Sequence, residues 1–336
     1  MKTAILTLFV LLFVSVIGTA SAQIKPPEDY GPLLPAVKEK MWKIDPKVGY
    51  AVKDIGNGVY VISDNGWQSA WLVTNDGVIV FDAPETFGKQ IPFEVAKVTN
   101  KPIKMLIYSH QHRDHIGGSP AFRDIKGLQI VATDSVAKYL KEQRDPERLI
   151  PNVTFGSEKT IKMGGKTVQL TRHCYHSQEG DLFIYVPEAR FLMAIDCVTP
   201  RYAPFMGFDL TTNFGEYLKV FDQLLAYKFD TFVGGHLTDI GARGDVETAK
   251  EFAFDVYNTV KRIHNSMDQK AYASEIAQKV GWDPKFVIFK EILDKVTQDA
   301  VAELVPRWKD RLAMANVFME SHVQTALIYV RWDDKL

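Results

Sequence analysis

Six consecutive residues, His110-Gln111-His112-Arg113-Asp114-His115, constrain this chain more than any other feature. They follow an apolar run, Ile103–Tyr108, that predicts a β-strand. Residues two apart in extended backbone project to the same side, so His110 and His112 can reach one metal ion. Asp114 and His115 are adjacent, so a turn is needed to bring both to a second ion, and Gly117-Gly118 supplies flexible backbone just beyond. Nitrogen and oxygen donors of this kind suit Zn²⁺. The chain has eight histidines in 336 residues, so three of them in six positions are not a chance scatter on a solvated loop.

The remaining composition is that of an ordinary globular protein, 46% apolar and 24% charged. The 40 basic residues nearly cancel the 41 acidic ones, leaving a formal charge of −1 and no bulk electrostatic attraction for nucleic acid or anionic membrane. Two cysteines cannot build a disulfide scaffold or a cysteine-rich zinc module.

The N-terminus has the layout of a signal peptide over residues 1–22. Lys2 is followed by an apolar run from Ala4 to Ile17 and by the small-residue site Ala20-Ser21-Ala22. An uncleaved anchor is the alternative, but the run is shorter than the roughly 20 residues a membrane-spanning helix needs. No cysteine follows the site, which disfavours a lipoprotein. The expectation is an exported protein, periplasmic or secreted, without stable membrane insertion. Export also argues against intracellular substrates such as glutathione thioesters.

Residues 23–48 read as an irregular lead-in with one short helix at most. Strands are predicted at 58–62, 71–74, 78–81, 103–108, 128–132, 167–170, 182–186, 191–195 and 231–233, and helices near 87–99, 133–145 and 214–226. The hairpin ending Val80-Phe81-Asp82 is echoed by the one ending Ala194-Ile195-Asp196, which suggests two related halves. From about 244 the pattern is helical: Ala249, Phe252, Val256, Val260 and Ile263 recur at spacings of three and four. Asp283-Pro284 predicts one helix start and Pro306 another. The helix from Pro306 would carry the stripe Trp308, Leu312, Ala315, Met319, His322, Ala326, Tyr329, read as core, as a lid or as a homodimer contact.

The motif resembles the signature of the metallo-β-lactamase superfamily, His-x-His-x-Asp-His at the end of a strand. The resemblance covers roughly residues 50–240. It implies a four-layer αβ/βα sandwich, an α/β (α+β) fold, over 23–243, with a C-terminal helical extension over 244–336. It also implies further ligands downstream, and candidates stand in order. His176 lies in His176-Ser177-Gln178-Glu179-Gly180, one residue longer than the usual family motif, with His173 as a competitor. Asp196 ends a strand, with Cys197 competing beside it, and His236 follows Gly234-Gly235. By resemblance, His110, His112 and His176 bind a first metal, Asp114, His115 and His236 a second, and Asp196 bridges them. Asp82 resembles the carboxylate that orients a ligand histidine from behind.

The implied cofactor is two Zn²⁺, with Fe and Mn not excluded. The implied reaction is attack by metal-bound hydroxide on a small ester, lactone or β-lactam-like amide, with Asp114 both ligand and proton handler. A phosphodiester or organophosphate hydrolase is the alternative within enzymes. A metal-binding interaction protein with weak catalysis is the alternative outside them. A histidine at 112 excludes the oxygen-reducing di-iron relatives, which carry an acid there. Mononuclear-iron dioxygenases keep the histidines, but act on intracellular thiols.

Weaker signals remain open at this stage. Trp67 is either a substrate contact on a flap over the site or an ordinary surface or core residue. Arg201 can hold a substrate carboxylate or be an ordinary surface residue. Tyr202, Phe205, Met206 and Phe208 either wall an apolar pocket or anchor their loop. His322 is read first as a core histidine. Cys174 and Cys197 can pair or stay as two thiols.

Overall fold

Strand alternation splits the apolar residues of this chain between two faces of each of two sheets. In the first sheet, β1 (Ala51–Gly56), β2 (Val59–Ser63), β3 (Gln68–Val73), β4 (Val78–Phe81), β5 (Ile103–Ile107), β6 (Gln129–Thr133) and β7 (Val153–Phe155) lie in sequence order. Strands β1 to β4 are antiparallel, and β4 to β7 run parallel. The second sheet has the order β12 (Thr231–Val233), β11 (Phe191–Ala194), β10 (Asp181–Val186), β9 (Lys166–His173), β8 (Glu158–Met163). Residues 27–237 and 239–334 are described by this computed structural model, so the signal-peptide segment lies outside the described residues. The chain divides into two compact units, Met1–Pro32 and Leu33–Leu336, and the described part of the first includes a turn of 3-10 helix at Pro27–Tyr30.

Between the sheets, Ala70, Leu72, Ile79, Phe81, Ile107 and Val131 meet Leu182, Ile184, Phe191, Met193, Ile195 and Val233 in one buried cluster. The residues between them on the first sheet, Trp71, Val78, Val80, Leu106 and Ile130, face outward onto α2 (Ile91–Val98) and α4 (Asp134–Gln143). On the second sheet, Phe183, Leu192, Ala194 and Phe232 pack against α6 (Phe214–Leu225), α7 (Arg243–Ser266), α9 (Lys285–Trp308) and α10 (Met319–Trp332). The result is the four-layer αβ/βα sandwich. Each fully buried Leu, Ile, Val or Phe contributes about 1.5–3 kcal/mol, so the interleaved patterns fix the register of both sheets. Short helices α1 (Pro35–Lys38), α3 (Arg113–Ile116) and α5 (Met206–Leu210) and the surface helix α8 (Gln269–Val280) complete the set.

The repeated hairpin has a structural counterpart. β3–β4 is followed by parallel β5, and β10–β11 by parallel β12. Asp82 and Asp196, closing the two hairpins, both adopt left-handed backbone, with φ of 63° and 55°. Each N–H then reaches the neighbouring parallel segment, Asp82 N to Ile107 O and Asp196 N to Gly234 O.

Three strands escaped the sequence reading. β1 is largely exposed, β7 has three residues, and β8, Glu-Lys-Thr-Ile-Lys-Met, buries one residue, Ile161. All three are at or next to sheet edges, where one apolar face or less suffices. The helix predicted from Pro306 is corrected. Pro306 lies in the last turn of α9, which ends at Trp308, and the next helix begins at Met319. Met314 between them has φ of 61°, which a right-handed helix cannot accommodate. The stripe from Trp308 to Ala326 is buried nonetheless, because a helix end, an irregular link and a second helix line the same core.

Candidate metal centre

The His-rich loop leaves the C-terminal end of β5 and is fastened there before it turns. Ser109 N–H donates to Asp82 Oδ1 at 2.7 Å, and Ser109 Oγ lies 2.9 Å from His110 Nδ1. Asp82 therefore acts on His110 through Ser109, with no direct bond to a histidine ring among its hydrogen bonds. The turn that Asp114 and His115 require is α3, one helical turn from Arg113 to Ile116. Gly117 and Gly118 do not serve as flexible backbone, since Gly118 has ordinary φ. Its role is close approach: a Cβ there would lie 2.4 Å from Pro84 O.

Ligand atoms of His110, His112, His176 and Asp196 lie within 4.8 Å of one another, as do those of Asp114, His115 and His236. Asp196 joins the two groups. Its Oδ2 is 3.3 Å from His110 Nε2 and from His176 Nδ1, while its Oδ1 is 3.3 Å from His115 Nε2 and 2.9 Å from His236 Nε2. His115 Nε2 also faces Asp114 Oδ2 at 3.3 Å. The position of His236 depends on Gly234, where a Cβ would lie 1.9 Å from Val198 O.

These residues fit divalent metal. His110 Nε2, His176 Nδ1 and Asp196 Oδ1 are buried and make no well-aligned hydrogen bond, their nearest polar atoms being those of the other ligand candidates, a costly state for polar atoms with no ion to meet. The Nε2 atoms of His115 and His236 face each other at 3.2 Å, an arrangement that a shared cation relieves. Burial holds His110 well below its ordinary pKa and His176 down to about 4, so both are neutral, as a ligand must be. Burial would raise Asp196, but His115, His236 and His176 outweigh it and hold the carboxyl well below the usual range. Burial likewise opposes charge on His115, yet Asp196 raises it to about 9.

Behind the ligands, Asp181 accepts the N–H groups of His176 and Ser177, each at 3.0 Å. Gln111 links the two ligand loops, donating to Glu179 Oε2 at 3.0 Å and accepting from Ser177 Oγ at 3.2 Å. Tyr175 O–H donates to Ile195 O at 2.6 Å. Sequence reading assigned no role to Asp181 or Gln111. The signal was present in Asp181, an acid opening an otherwise apolar strand. Gly180, at the end of the His176 loop, has φ of 101°, and its N–H donates to Ser177 O at 3.4 Å.

The competing residues separate cleanly. His173 stacks on Phe183, 3.8 Å between ring centres, outside the cluster. Cys197 points into the helical-side core, and both cysteines are free thiols. Trp67 lies beside the site: its Nε1–H donates to Asp114 Oδ2 at 3.2 Å, and its backbone bridges to His236. Arg201 pairs through one guanidinium nitrogen with buried Asp239 at 2.8 Å, its side chain 26% exposed. His322 is a core histidine whose Nδ1 accepts the N–H of Phe208 at 3.1 Å.

The sequence model of the metallo-beta-lactamase superfamily matches residues 66–236, and the chain belongs to that family, a superfamily of hydrolases. Among curated relatives, the 2,4-dinitroanisole O-demethylase subunit alpha of Nocardioides sp. is 25% identical over 229 residues, 65% of this chain and 68% of that one. The linear primary-alkylsulfatase of Pseudomonas sp. is 22% identical over 261 residues, 62% of this chain and 49% of that one. The metallo-beta-lactamase type 2 of Elizabethkingia meningoseptica is 30% identical over 105 residues, 31% of this chain and 41% of that one. A metallo-beta-lactamase from Pontibacter korlensis shares the fold with a TM-score of 0.53 at 17% identity, covering 60% of this chain and 97% of that one.

Proposed function

We propose that this chain is an exported dinuclear zinc hydrolase of small carboxylic esters, lactones or β-lactam-like amides. The observation that carries the reading is Asp196, whose two oxygens face two separate ligand groups. His110, His112 and His176 would hold one ion and Asp114, His115 and His236 the other. When bound, the ions supply Lewis acidity, activating water as a nucleophile and polarising the bond to be cleaved. The chain's own residues do the rest. Asp196 keeps the two groups together and remains ionised among its histidines. Asp114, 42% exposed at its side chain, is the carboxylate through which a proton can pass between site and solvent. Trp67 holds that carboxylate by its Oδ2, leaving Oδ1 for the proton.

Names among the relatives support a broad range of scissile bonds: a β-lactam, an alkyl sulfate and a methyl aryl ether. Ester and amide carbonyls are placed first because the most identical of these three relatives, at 30% over 105 residues, is named for a β-lactam substrate. The test is turnover of nitrocefin, a homoserine lactone, p-nitrophenyl acetate, a p-nitrophenyl phosphodiester and an alkyl sulfate by zinc-reloaded protein. Turnover of an ester, lactone or β-lactam that chelator abolishes is expected. Turnover of the phosphodiester or sulfate alone would replace the substrate class, and no turnover would favour a metal-binding interaction protein. Export rests on residues 1–22 and is checked by the mature N-terminus, expected at Gln23. Among the described residues no helix is long and apolar enough to cross a membrane.

A further inference from the structure

The link between β11 and α6 contains a feature rarely built from L-residues. Gly207, Phe208, Asp209 and Leu210 all have φ between 55° and 61°, a left-handed turn in which three of four residues carry a Cβ. Left-handed backbone is disfavoured for each of the three that carry a Cβ, and such strain persists only where the surroundings over-determine it. Here they do. Asp209 N–H donates to Phe205 O at 3.0 Å, and Phe205 N–H donates to Asp209 Oδ1 at 2.8 Å. From α10, Ser321 Oγ accepts Gly207 N–H at 2.9 Å and His322 Nδ1 accepts Phe208 N–H at 3.1 Å. Phe208 is fully buried between the rings of His322 and Phe214.

The turn adjoins the metal centre. Thr212 N–H and Oγ1–H both donate to His176 O, at 3.2 and 3.0 Å, and the Thr211 hydroxyl donates to Tyr175 O. On its other side the Asp209 carboxyl feels the charges of Asp196 and His236. With Phe208 turned inward, Phe205, Met206 and Leu210 remain 52%, 43% and 49% exposed, and Phe205 meets Phe318 edge to face, 4.9 Å between centres. Large apolar groups left half in water on a turn bonded to the backbone of His176, at a cost in backbone strain, are the arrangement of a site awaiting an apolar ligand group.

We propose that Phe205, Met206 and Leu210 form an apolar lip of the metal centre that binds the alkyl or aryl arm of the substrate, in a shape imposed by Ser321 and His322 of α10. This rests on the hydrolase reading above. The predicted substrate has a polar scissile group joined to an apolar arm of several carbons. The helical extension thereby acts as a specificity element.

The test uses metal-reconstituted full chain and the p-nitrophenyl esters of acetate, butanoate, hexanoate and octanoate. A fully buried methylene is worth about fourfold in binding, so a half-open lip should give about twofold in kcat/KM per methylene, carried by KM. In the F205S/L210S variant this slope should flatten, and in S321A it should fall part-way, with circular dichroism and metal content unchanged. Equal slopes in wild type and F205S/L210S, or no slope in wild type, would overturn the proposal. No hydrolysis of any ester, acetate included, would instead refute the ester reading, and calorimetric binding of hexanoate, octanoate and decanoate then tests the lip without turnover. Affinity rising with chain length in wild type and not in F205S/L210S supports it, and equal increments overturn it. A wild-type dimer that F205S/L210S dissociates in sedimentation would also overturn it, by assigning the lip to a second copy.

Discussion

Trp67 Nε1–H donates to Asp114 Oδ2, the same oxygen that faces His115 Nε2. An indole on the β2–β3 turn thereby orients a carboxylate of the second ligand group. Hydrogen bonds to charged groups are worth about 1.5–3 kcal/mol. W67F, which keeps a ring but removes the N–H, should therefore lower kcat about tenfold or more with little loss of fold. D114A should lower it by several orders of magnitude. Steady-state kinetics decide, and a D114A rate near wild type would remove Asp114 from the chemistry.

Asp181 fixes the backbone of the His176 loop with both oxygens. D181N retains one acceptor oxygen and replaces the other with a donor. Residues supporting metal ligands typically account for about 10–100-fold in affinity. A zinc competition titration should show a loss of that size for one ion, with the other unaffected.

Gly234 and Val198 O leave no space for a side chain. G234A should displace His236 or fail to fold. A soluble G234A protein with full zinc content and rate would show that the loop can shift freely.

The core histidine sets an acid limit. Burial lowers His322 from 6.5 to about 3. Its folded value lies below its unfolded one, so its contribution to stability is complete above about pH 6.5 and declines as pH falls toward 3. The slope is about 1.4 kcal/mol per pH unit within that window. Buried Asp209, raised to about 7, has the opposite sign, its contribution falling as pH rises from about 4 through 7. Comparing wild type with H322Q isolates the histidine: urea unfolding should show the wild-type advantage shrinking between pH 7 and pH 4.5. A constant difference would mean His322 titrates normally.

Helices α7, α9 and α10 cover the outer face of the second sheet, with Trp308 donating to Asp255 at 2.7 Å to tie α9 to α7. A chain cut after residue 243 should be insoluble or unfolded, because Phe183, Leu192 and Phe232 would lose their cover. A soluble, active truncated protein would show the extension to be separable.

Much of this site was legible because metal ligation demands particular residue types at strand ends. His110, His112, Asp114 and His115 stood out by their spacing, whereas His176, Asp196 and His236 were named through the family resemblance. What was hidden depends on contacts between distant segments. Nothing local to Trp67 shows its bond to Asp114, 47 residues away. Nor does Phe205-Met206-Gly207-Phe208 announce a left-handed turn, because Ser321 and His322, more than a hundred residues later, hold it. The stripe beyond Pro306 misled in the same way: burial was periodic where the backbone was not helical.

The most direct test of the central claim, two ligand groups joined by Asp196, is zinc stoichiometry in wild type, H110A/H176A and H236A. Elemental analysis after reloading should find about two ions per chain in wild type and about one in each variant. About one ion in wild type, lost completely in both variants, would contradict the claim and leave a single mixed site.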